Sequence, residues 1–444
     1  MPSAGFSLDS EVEHYGGPVV KATGQLRNVL GIVMILTAVV VGAQLAGLDV
    51  LQRMREALAS YAPDLADPDP EWTVNLGGPA TAAAVSEDRV IAVIRGRVEA
   101  RDRSNGEEVW ARSVDWAVPA GEFVVVGRTE GAGFEVLTAT DGETLWSETE
   151  AIDSWVFLDL IVQLDCDGGE DGACVLAGRS LSDGEVLWER SLPYGAQAEL
   201  AGYGELTGVG DLAETVAYTV SVPEVIGVRL DGTVYAVDSA TGERLATAET
   251  RDEQVRISVL DGHMIRVETS AGDEECRYTL QAEADGDRLW RHRGDYDPHT
   301  ASGSSCQLRR EPAGDSGAIA VTRDDGRPAL LDVHTGQERW TGEDGERLLA
   351  IGAGLAVVET GDELRVIRLS DAEQLWTYQP GGEVQATATP SAVILQDLAA
   401  QRVIALDRDS GDELADLDTD ADVVGIGPDG LILARARTIG YVRW

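Results

Sequence analysis

The residues of this 444-residue chain that could act as a catalytic nucleophile and base are few and scattered. Gly314-Asp315-Ser316-Gly317 matches the tetrapeptide around the nucleophilic serine of one class of serine protease. Such a serine also needs a base and an orienting acid, and His263, His292, His299 and His334 follow no motif that would supply them. Because four residues are a short match in a chain rich in Gly, Asp and Ser, we interpret the tetrapeptide as a chance match.

Two acidic segments could bind a cation through carboxylate oxygens. In residues 165–172 the candidate ligands are Asp165, Asp167 and Asp171, but their number and spacing are not those of an EF-hand loop. In residues 416–422 aspartates alternate with other residues, so an extended strand would place them on one face. We favour solvated acidic surface for both segments and predict no bound metal and no other cofactor.

The four cysteines indicate disulfides rather than a metal site, because none lies in a C-x-x-C pair. Cys166 and Cys174 flank a turn-forming segment and could face each other across a hairpin. A bridge between them would contribute about 2–3 kcal/mol of stability on the chain-entropy model. Cys276 and Cys306 would then pair between neighbouring repeats, and both bridges favour an oxidising compartment.

The net charge of −43, from 78 acidic and 35 basic residues, argues strongly against nucleic acid as a partner. A surface this negative repels phosphate backbones and anionic lipid headgroups. Basic proteins and cations are its natural counterparts, although we interpret most of the charge as general solubilising surface.

The N-terminal region predicts one membrane-spanning helix. Residues 29–48 form an apolar run of 20 residues without a charge, which as a helix is about 30 Å long and matches a bilayer core. We predict a short disordered cytoplasmic segment at 1–28, a signal-anchor at 29–48, and a stalk and Pro-rich linker at 49–70. A signal peptide cleaved near Val41-Gly42-Ala43 is the alternative. Since the cysteine pairs favour an oxidising side, the bulk of the chain is expected to be extracytoplasmic.

A repeated phrase organises the remaining residues. A β-rich run is followed by Gly and, four residues later, usually by Trp; eight copies recur at spacings of 36–58 residues, counting the one with Ala372 in place of Gly. Ala246 and Ala415 replace Trp in two of them. Spacings in this range are typical of repeat arrays, and short strands separated by turns favour antiparallel sheets. Four strands in each radially arranged copy predict a β-propeller.

The repeat resembles that of the PQQ-like, quinoprotein-type propellers. Residues 234–243, Val-Tyr-Ala-Val-Asp-Ser-Ala-Thr-Gly-Glu, carry the likeness most clearly, and residues 403–411 and 331–336 repeat it. The resemblance covers residues 71–444 and implies an all-β domain with a single propeller of four-stranded antiparallel blades. It also implies that a Trp of each outer strand docks on the neighbouring blade; the matching residues are Trp110, Trp146, Trp188, Trp290, Trp340 and Trp376.

The two ends of the repeat region predict how the ring closes. Three strand-like pieces lie between residue 423 and the C-terminus, and residues 71–76 resemble a lone outer strand. Joined in one sheet, they would remove the open edges of the ring. Eight internal copies plus this closing sheet allow nine blades, but members of the family usually have eight, and we predict eight.

The enzymes of this family oxidise alcohols with a bound quinone and Ca²⁺, and they use an adjacent Cys-Cys pair. No two cysteines are adjacent here, so we predict a chain that is not an enzyme. The favoured hypothesis is a membrane-anchored, extracytoplasmic, non-catalytic module that binds or scaffolds protein partners at the outer face of the membrane. The alternative is a sensor of small molecules or cations, or a quinone-dependent enzyme, that uses the central funnel.

Overall fold

The computed structural model describes residues 65–127, 133–149, 151, 153–166, 173–195, 198–201, 219–250, 254–271, 276–284, 287–299, 301–302, 306–308 and 310–444. Residues 62–444 form one compact unit, and its described elements are β-strands. The predicted anchor at 29–48 and the segment before it lie outside the described residues. Within the described ranges, no helix is long and apolar enough to cross a membrane.

The described strands form nine antiparallel blades, numbered here in chain order from blade 1. Each strand alternates its side chains between two faces, so each blade presents one apolar face to the blade before it and another to the blade after it. In the second strand of blade 1, for example, Val90 and Ala92 pack towards blade 9, whereas Ile91 packs towards blade 2.

The strand bounds follow in order from the inner to the outer strand of each blade. Blade 1 has Ala80–Ser86, Arg89–Ile94, Arg97–Asp102 and Glu108–Ser113; blade 2 has Ala117–Ala120, Phe123–Gly127, Phe134–Thr138 and Thr144–Glu148; blade 3 has Asp153–Val156, Leu160–Cys166, Ala173–Ser180 and Val186–Pro193. Blade 4 has Ala198–Leu200, Val225–Leu230, Thr233–Asp238 and Arg244–Glu249; blade 5 has Val255–Leu260, His263–Ala271, Cys276–Ala284 and Asp287–Arg293.

Blade 6 has an interrupted inner strand. Its pieces Tyr296–Asp297 and Gly314–Asp315 both pair with the second strand, Ala318–Arg323, which is followed by Pro328–Asp332 and Glu338–Thr341. Between the two pieces, Ala301–Ser302 pairs with Gln307–Leu308 as a separate small hairpin. The last blades are regular: blade 7 has Arg347–Gly352, Leu355–Thr360, Glu363–Arg368 and Gln374–Tyr378; blade 8 has Gln385–Ala388, Ala392–Asp397, Arg402–Asp407 and Glu413–Asp418; blade 9 has Asp422–Gly427, Gly430–Arg435, Thr438–Arg443 and, as outer strand, Trp72–Asn75.

The ring closes in blade 9, where the N-terminal strand pairs with the C-terminal one. Trp72 lies opposite Tyr441 and Asn75 opposite Thr438 in this antiparallel pair. Nine apolar clusters each join two consecutive blades, and one of them joins blade 9 to blade 1. Further upstream, Leu65 is buried against blades 8 and 9, and the backbone of Asp67 bridges to that of Asp418.

The propeller of four-stranded antiparallel blades is confirmed, but the predicted number of eight blades is wrong. The Gly-Trp phrase marks the turn between the third and outer strands of a blade, and it occurs eight times. Blade 9 has no such turn, because its outer strand comes from the other end of the chain. The eight copies and the closing sheet together give the nine blades that the sequence allowed; the usual number in the resembled family led to the wrong choice of eight.

The repeated Trp and Gly form a contact between neighbouring blades. The ring of Trp188 in blade 3 covers Gly242 in blade 4, where an added Cβ would lie 2.5 Å from the ring carbon Cε3. Gly242 has φ +68, so both the backbone and the close approach require glycine. Trp188 Nε1 donates a hydrogen bond to Ser239 O at 2.7 Å. The same pair of contacts is made by Trp72, Trp110, Trp146, Trp290 and Trp376 on Gly106, Gly142, Gly184, Gly336 and Gly411.

Trp340 of blade 6 packs differently. The turn of blade 7 carries Ala372, with φ +59, at the position that is Gly in the other contacts. Its methyl group would collide with a Trp ring placed as in those blades. Trp340 instead packs in the apolar cluster between blades 6 and 7, and the carbonyl of Leu369 accepts a hydrogen bond from Arg339 Nη1 at 3.1 Å.

Both predicted disulfides are present. Cys166 and Cys174 lie directly opposite each other on the second and third strands of blade 3. Cys276, at the start of the third strand of blade 5, is bonded to Cys306 in the segment that interrupts the inner strand of blade 6. The second bridge therefore links two neighbouring blades.

Candidate functional site

A cleft lies on one face of the ring. We call this face of the ring the lower face. It carries the turns between the inner and second strands and those between the third and outer strands, whereas the upper face carries the remaining connections. Residues 223–225 of blade 4, 259–262 of blade 5 and 314–317 of blade 6 line a cleft of about 240 Å³.

Two tight turns shape the cleft. Asp261 and Gly262 have φ values of 45° and 76°, and Ser316 and Gly317 have φ values of 48° and 72°. Two-residue hairpin loops with both φ values positive are type I′ turns, which match the twist of the strands they join. The polar side chains at the cleft are therefore carried on short turns attached to rigid strands.

The polar lining of the cleft is mostly acidic. It consists of Glu224, Asp261, Asp315 and Ser316, set against the apolar side chains of Pro223, Val225, Val259 and Leu260. Asp315 is held in place, because its Oδ2 accepts a hydrogen bond from the backbone N–H of Gly354 at 2.6 Å. Arg339 Nη1 donates to Ser316 O at 3.3 Å, so one guanidinium lies beside the three carboxyl groups, and the excess of negative charge favours a cationic group.

The geometry around Ser316 is that of a turn rather than of a nucleophile. Its Oγ donates to Asp315 Oδ1 at 3.2 Å, and its backbone occupies the first position of the type I′ turn. A nucleophilic serine needs a base positioned to accept its proton. The tetrapeptide at 314–317 thus forms the tip of a hairpin and one wall of the cleft.

Two histidines that are 71 residues apart in sequence meet at the rim of the cleft. His263 opens the second strand of blade 5, and His334 lies in the outer turn of blade 6. His334 Nδ1 is 3.2 Å from His263 Nε2, and His334 Nε2 is 3.2 Å from Asp261 Oδ2. His263 Nδ1 is 2.6 Å from the carbonyl oxygen of Asp261. In the sequence these histidines share no motif. The signal that could have related them is that both occupy turn positions on the same face of adjacent blades.

The other candidate site residues from the sequence are two histidines and three aspartates, and those that the structure describes do not line the cleft. His292 Nε2 lies 2.9 Å from Gly336 O, and His299 Nε2 lies 2.8 Å from Thr322 Oγ1. Asp165 lies on the second strand of blade 3, whereas Asp167 and Asp171 lie outside the described residues. Across the described part of the chain, no three His, Cys, Asp or Glu side chains are grouped to hold a metal ion.

The alternating aspartates at 416–422 are partly neutralised by arginines. Arg402 makes two hydrogen bonds of 2.5 Å to Asp416, one to each carboxylate oxygen. Hydrogen bonding to this guanidinium lowers the pKa of Asp416. Asp420 is paired with Arg435. These contacts assign the segment to ion pairing along the blade surface.

Carboxylates of the outer turns are held in their charged form by local hydrogen bonds. Asp238 Oδ1 accepts from Thr241 Oγ1 at 2.8 Å and from the backbone N–H of Thr241 at 2.7 Å. The Thr241 hydroxyl is the largest cause of the lowered pKa of Asp238. The pKa is also lowered at the turn residues Asp102, Asp141, Asp183, Asp332, Asp371 and Asp407.

This geometry predicts how Asp238→Asn and Thr241→Val depend on pH. Because the folded-state pKa of Asp238 is lowered, its contribution to stability is present above the unfolded-state value of about 3.9 and is lost as pH falls through the folded-state value. Each variant should therefore be less stable than the wild type at pH 7, and the gap should shrink below about pH 4. Denaturant unfolding at several pH values measures the gap. A gap that stays constant over the whole range would contradict the assignment.

Comparison with known proteins places the fold in a family. The family model described as "Outer membrane protein assembly factor BamB" matches residues 61–277 and 279–426. No curated protein matches the chain. Solved structures match at low identity, and these likenesses concern the fold alone.

Three of these structures illustrate the range. A computationally designed protein, Ika8, is 15% identical, with a TM-score of 0.40, and the match covers 78% of this chain and 98% of that one. BamB from Moraxella catarrhalis is 16% identical, with a TM-score of 0.35 and coverage of 76% and 94%. The quinohemoprotein alcohol dehydrogenase ADHIIG from Pseudomonas putida HK5 is 14% identical, with a TM-score of 0.39 and coverage of 85% and 76%. Because the family model matches most of the length of this chain, the chain belongs to the PQQ-like propeller family whose model is described as the outer membrane protein assembly factor BamB.

Proposed function

We propose that this chain is a membrane-anchored, extracytoplasmic propeller that binds a protein partner without catalysing a reaction, and that the cleft receives a basic side chain of that partner. The observation that carries the proposal is the acidic cleft between blades 4, 5 and 6. The family description, which names an assembly factor, supports a role in contact with other proteins.

The size of the cleft favours a side chain over a cofactor. Its volume of about 240 Å³ is below the roughly 300–1,000 Å³ of pockets that hold drug-sized ligands. An arginine or lysine side chain is small enough to enter, and charge-assisted hydrogen bonds to Asp261 and Asp315 would hold it. Neighbouring apolar residues such as Val259 and Leu260 would contact its methylene groups.

The charge of the whole chain supports the same kind of partner. A net charge of −43 attracts basic surfaces over long distances and speeds their encounter. Close charge complementarity at the cleft would then fix the register of the complex. The two disulfides support an extracytoplasmic location, since such bonds persist in oxidising compartments.

Photo-cross-linking in native membranes tests the proposal. A photoreactive amino acid placed at Glu224 on the lower face should give a discrete protein adduct, identified by mass spectrometry. The matched control is Leu398, which is 62% exposed in the turn between the second and third strands of blade 8, on the upper face. No adduct at Glu224, or the same adduct at both positions, would contradict the proposal.

A further inference from the structure

We propose that His263 and His334 form a binding site for a divalent transition-metal ion at the rim of the cleft. Their facing nitrogens, Nε2 of His263 and Nδ1 of His334, are 3.2 Å apart. Two imidazole nitrogens bound about 2.0–2.1 Å from one tetrahedral ion are themselves about 3.3–3.4 Å apart. The two side chains are therefore already close to the separation that a shared ion requires.

The outward nitrogens of both rings have oxygen acceptors. His263 Nδ1 lies 2.6 Å from the backbone oxygen of Asp261, and His334 Nε2 lies 3.2 Å from the carboxylate of the same residue. With a hydrogen on each outward nitrogen, both facing nitrogens present a lone pair; with a hydrogen on one facing nitrogen, the pair forms an ordinary hydrogen bond. Two facing lone pairs at 3.2 Å repel each other unless a cation lies between them. The cation is a proton or a metal ion.

The arrangement of the outer partners favours the metal ion. Histidines that bind metals nearly always donate their other N–H to a carboxylate or a backbone carbonyl, and Asp261 supplies one of each. The two rings contact each other edge to face, with their centroids 4.5 Å apart and an angle of 86° between their planes. One aspartate thus orients both candidate ligands.

Imidazole nitrogen selects the class of metal. Zn²⁺, Cu²⁺ and Ni²⁺ accept imidazole readily, whereas Ca²⁺ and Mg²⁺ prefer oxygen ligands. The affinity order of divalent ions places Cu²⁺ above Zn²⁺. The side chain of His334 is 50% exposed, so the remaining coordination positions face solvent and can take water or a ligand from another molecule.

A bound ion would also tie two blades together. His263 belongs to blade 5 and His334 to blade 6, so coordination adds a link across their interface on the lower face. Because the two ligands are 71 residues apart and meet only after folding, the ion should bind the folded state preferentially and raise the melting temperature as its concentration rises.

Isothermal titration calorimetry of the full chain, first freed of metal with a chelator, tests this inference with Cu²⁺, Zn²⁺ and Ca²⁺. We expect Cu²⁺ and Zn²⁺ to bind, Cu²⁺ more tightly, and Ca²⁺ to show no binding that depends on the histidine pair. His263→Gln and His334→Gln should each weaken Cu²⁺ and Zn²⁺ binding at least tenfold. His299→Gln, which alters a histidine that contacts Thr322 instead, should bind like the wild type.

Electron paramagnetic resonance of the wild-type Cu²⁺ complex provides a second readout that does not depend on the folding of the variants. Coordination by both imidazoles predicts that the Cu²⁺ spectrum shows hyperfine splitting from two coordinated ring nitrogens, one from each histidine. Absence of Cu²⁺ and Zn²⁺ binding, binding that both substitutions leave unchanged, or a spectrum without imidazole nitrogen would each overturn the site.

Discussion

Replacing Trp188 by alanine is expected to lower the free energy of unfolding by about 3–5 kcal/mol, as for other large buried aromatic residues. Trp188 is 5% exposed and belongs to the apolar cluster between blades 3 and 4. Its removal would leave a void over Gly242 and would free the carbonyl of Ser239, which now accepts its indole N–H. Chemical denaturation followed by tryptophan fluorescence and circular dichroism measures the loss.

Leu187 provides the matched control in the same strand. It precedes Trp188 and points the opposite way, with 52% of its surface exposed. Leu187→Ala should change stability by no more than about 0.5 kcal/mol, as surface substitutions usually do. Equal effects of the two substitutions would show that docking of Trp188 does not stabilise the contact between these blades.

Removing residues 65–76 is expected to have a larger effect, because it takes away the outer strand of blade 9. The deletion exposes the edge of the last strand, including Tyr441, which is 1% exposed in the intact ring. It also removes Trp72, whose indole N–H donates to Arg103 O in blade 1 at 2.7 Å. We expect a loss of more than about 5 kcal/mol, comparable to the whole stability of many domains.

Two further changes separate loss of closure from loss of chain length. Removing residues 1–64 leaves every described strand in place and should preserve the melting temperature of the propeller. Trp72→Ala should fall between this control and the deletion of 65–76, since the strand pairing with residues 438–441 remains. A propeller that keeps its melting temperature without residues 65–76 would contradict closure by the N-terminal strand.

The repeat fold could be predicted because its signal is local. In most copies the turn glycine and the following Trp lie within five residues; the Trp covers the glycine of the next blade, and the glycine receives the Trp of the blade before. The disulfides could also be predicted from the sequence, since Cys166 and Cys174 flank one hairpin. These features depend on spacing along the chain and need no knowledge of the ring.

Other features depend on how distant segments meet. Trp72 makes the same docking contact as the repeat Trp residues, but its own blade lacks the preceding Gly turn that would have marked it. Ala372 signals that Trp340 cannot dock in the usual way, and this follows only once the close approach of Trp to Gly is known. Ala415 precedes blade 9, which has no outer turn of this kind to receive a Trp ring.

The cleft was the feature that the sequence predicted least. It is assembled from two hairpin turns of blades 5 and 6 and from the segment that leads into the second strand of blade 4, and the insertions within blades 4 and 6 break the regular repeat spacing. His263 and His334 come together for the same reason, because each lies at a turn on the lower face of its blade. Sequence distance therefore concealed both the acidic lining and the histidine pair.

The binding of the cross-linked partner to a charge-neutralised cleft is the most direct measurement of the proposed function. The triple substitution Glu224→Gln, Asp261→Asn and Asp315→Asn should weaken the complex at least tenfold when chelator is present to remove metal ions. The control neutralises three exposed acids of the upper face, Asp344→Asn, Asp362→Asn and Glu383→Gln, and should change binding little. Wild-type affinity for the partner in the cleft variant would contradict docking of a basic side chain in the cleft.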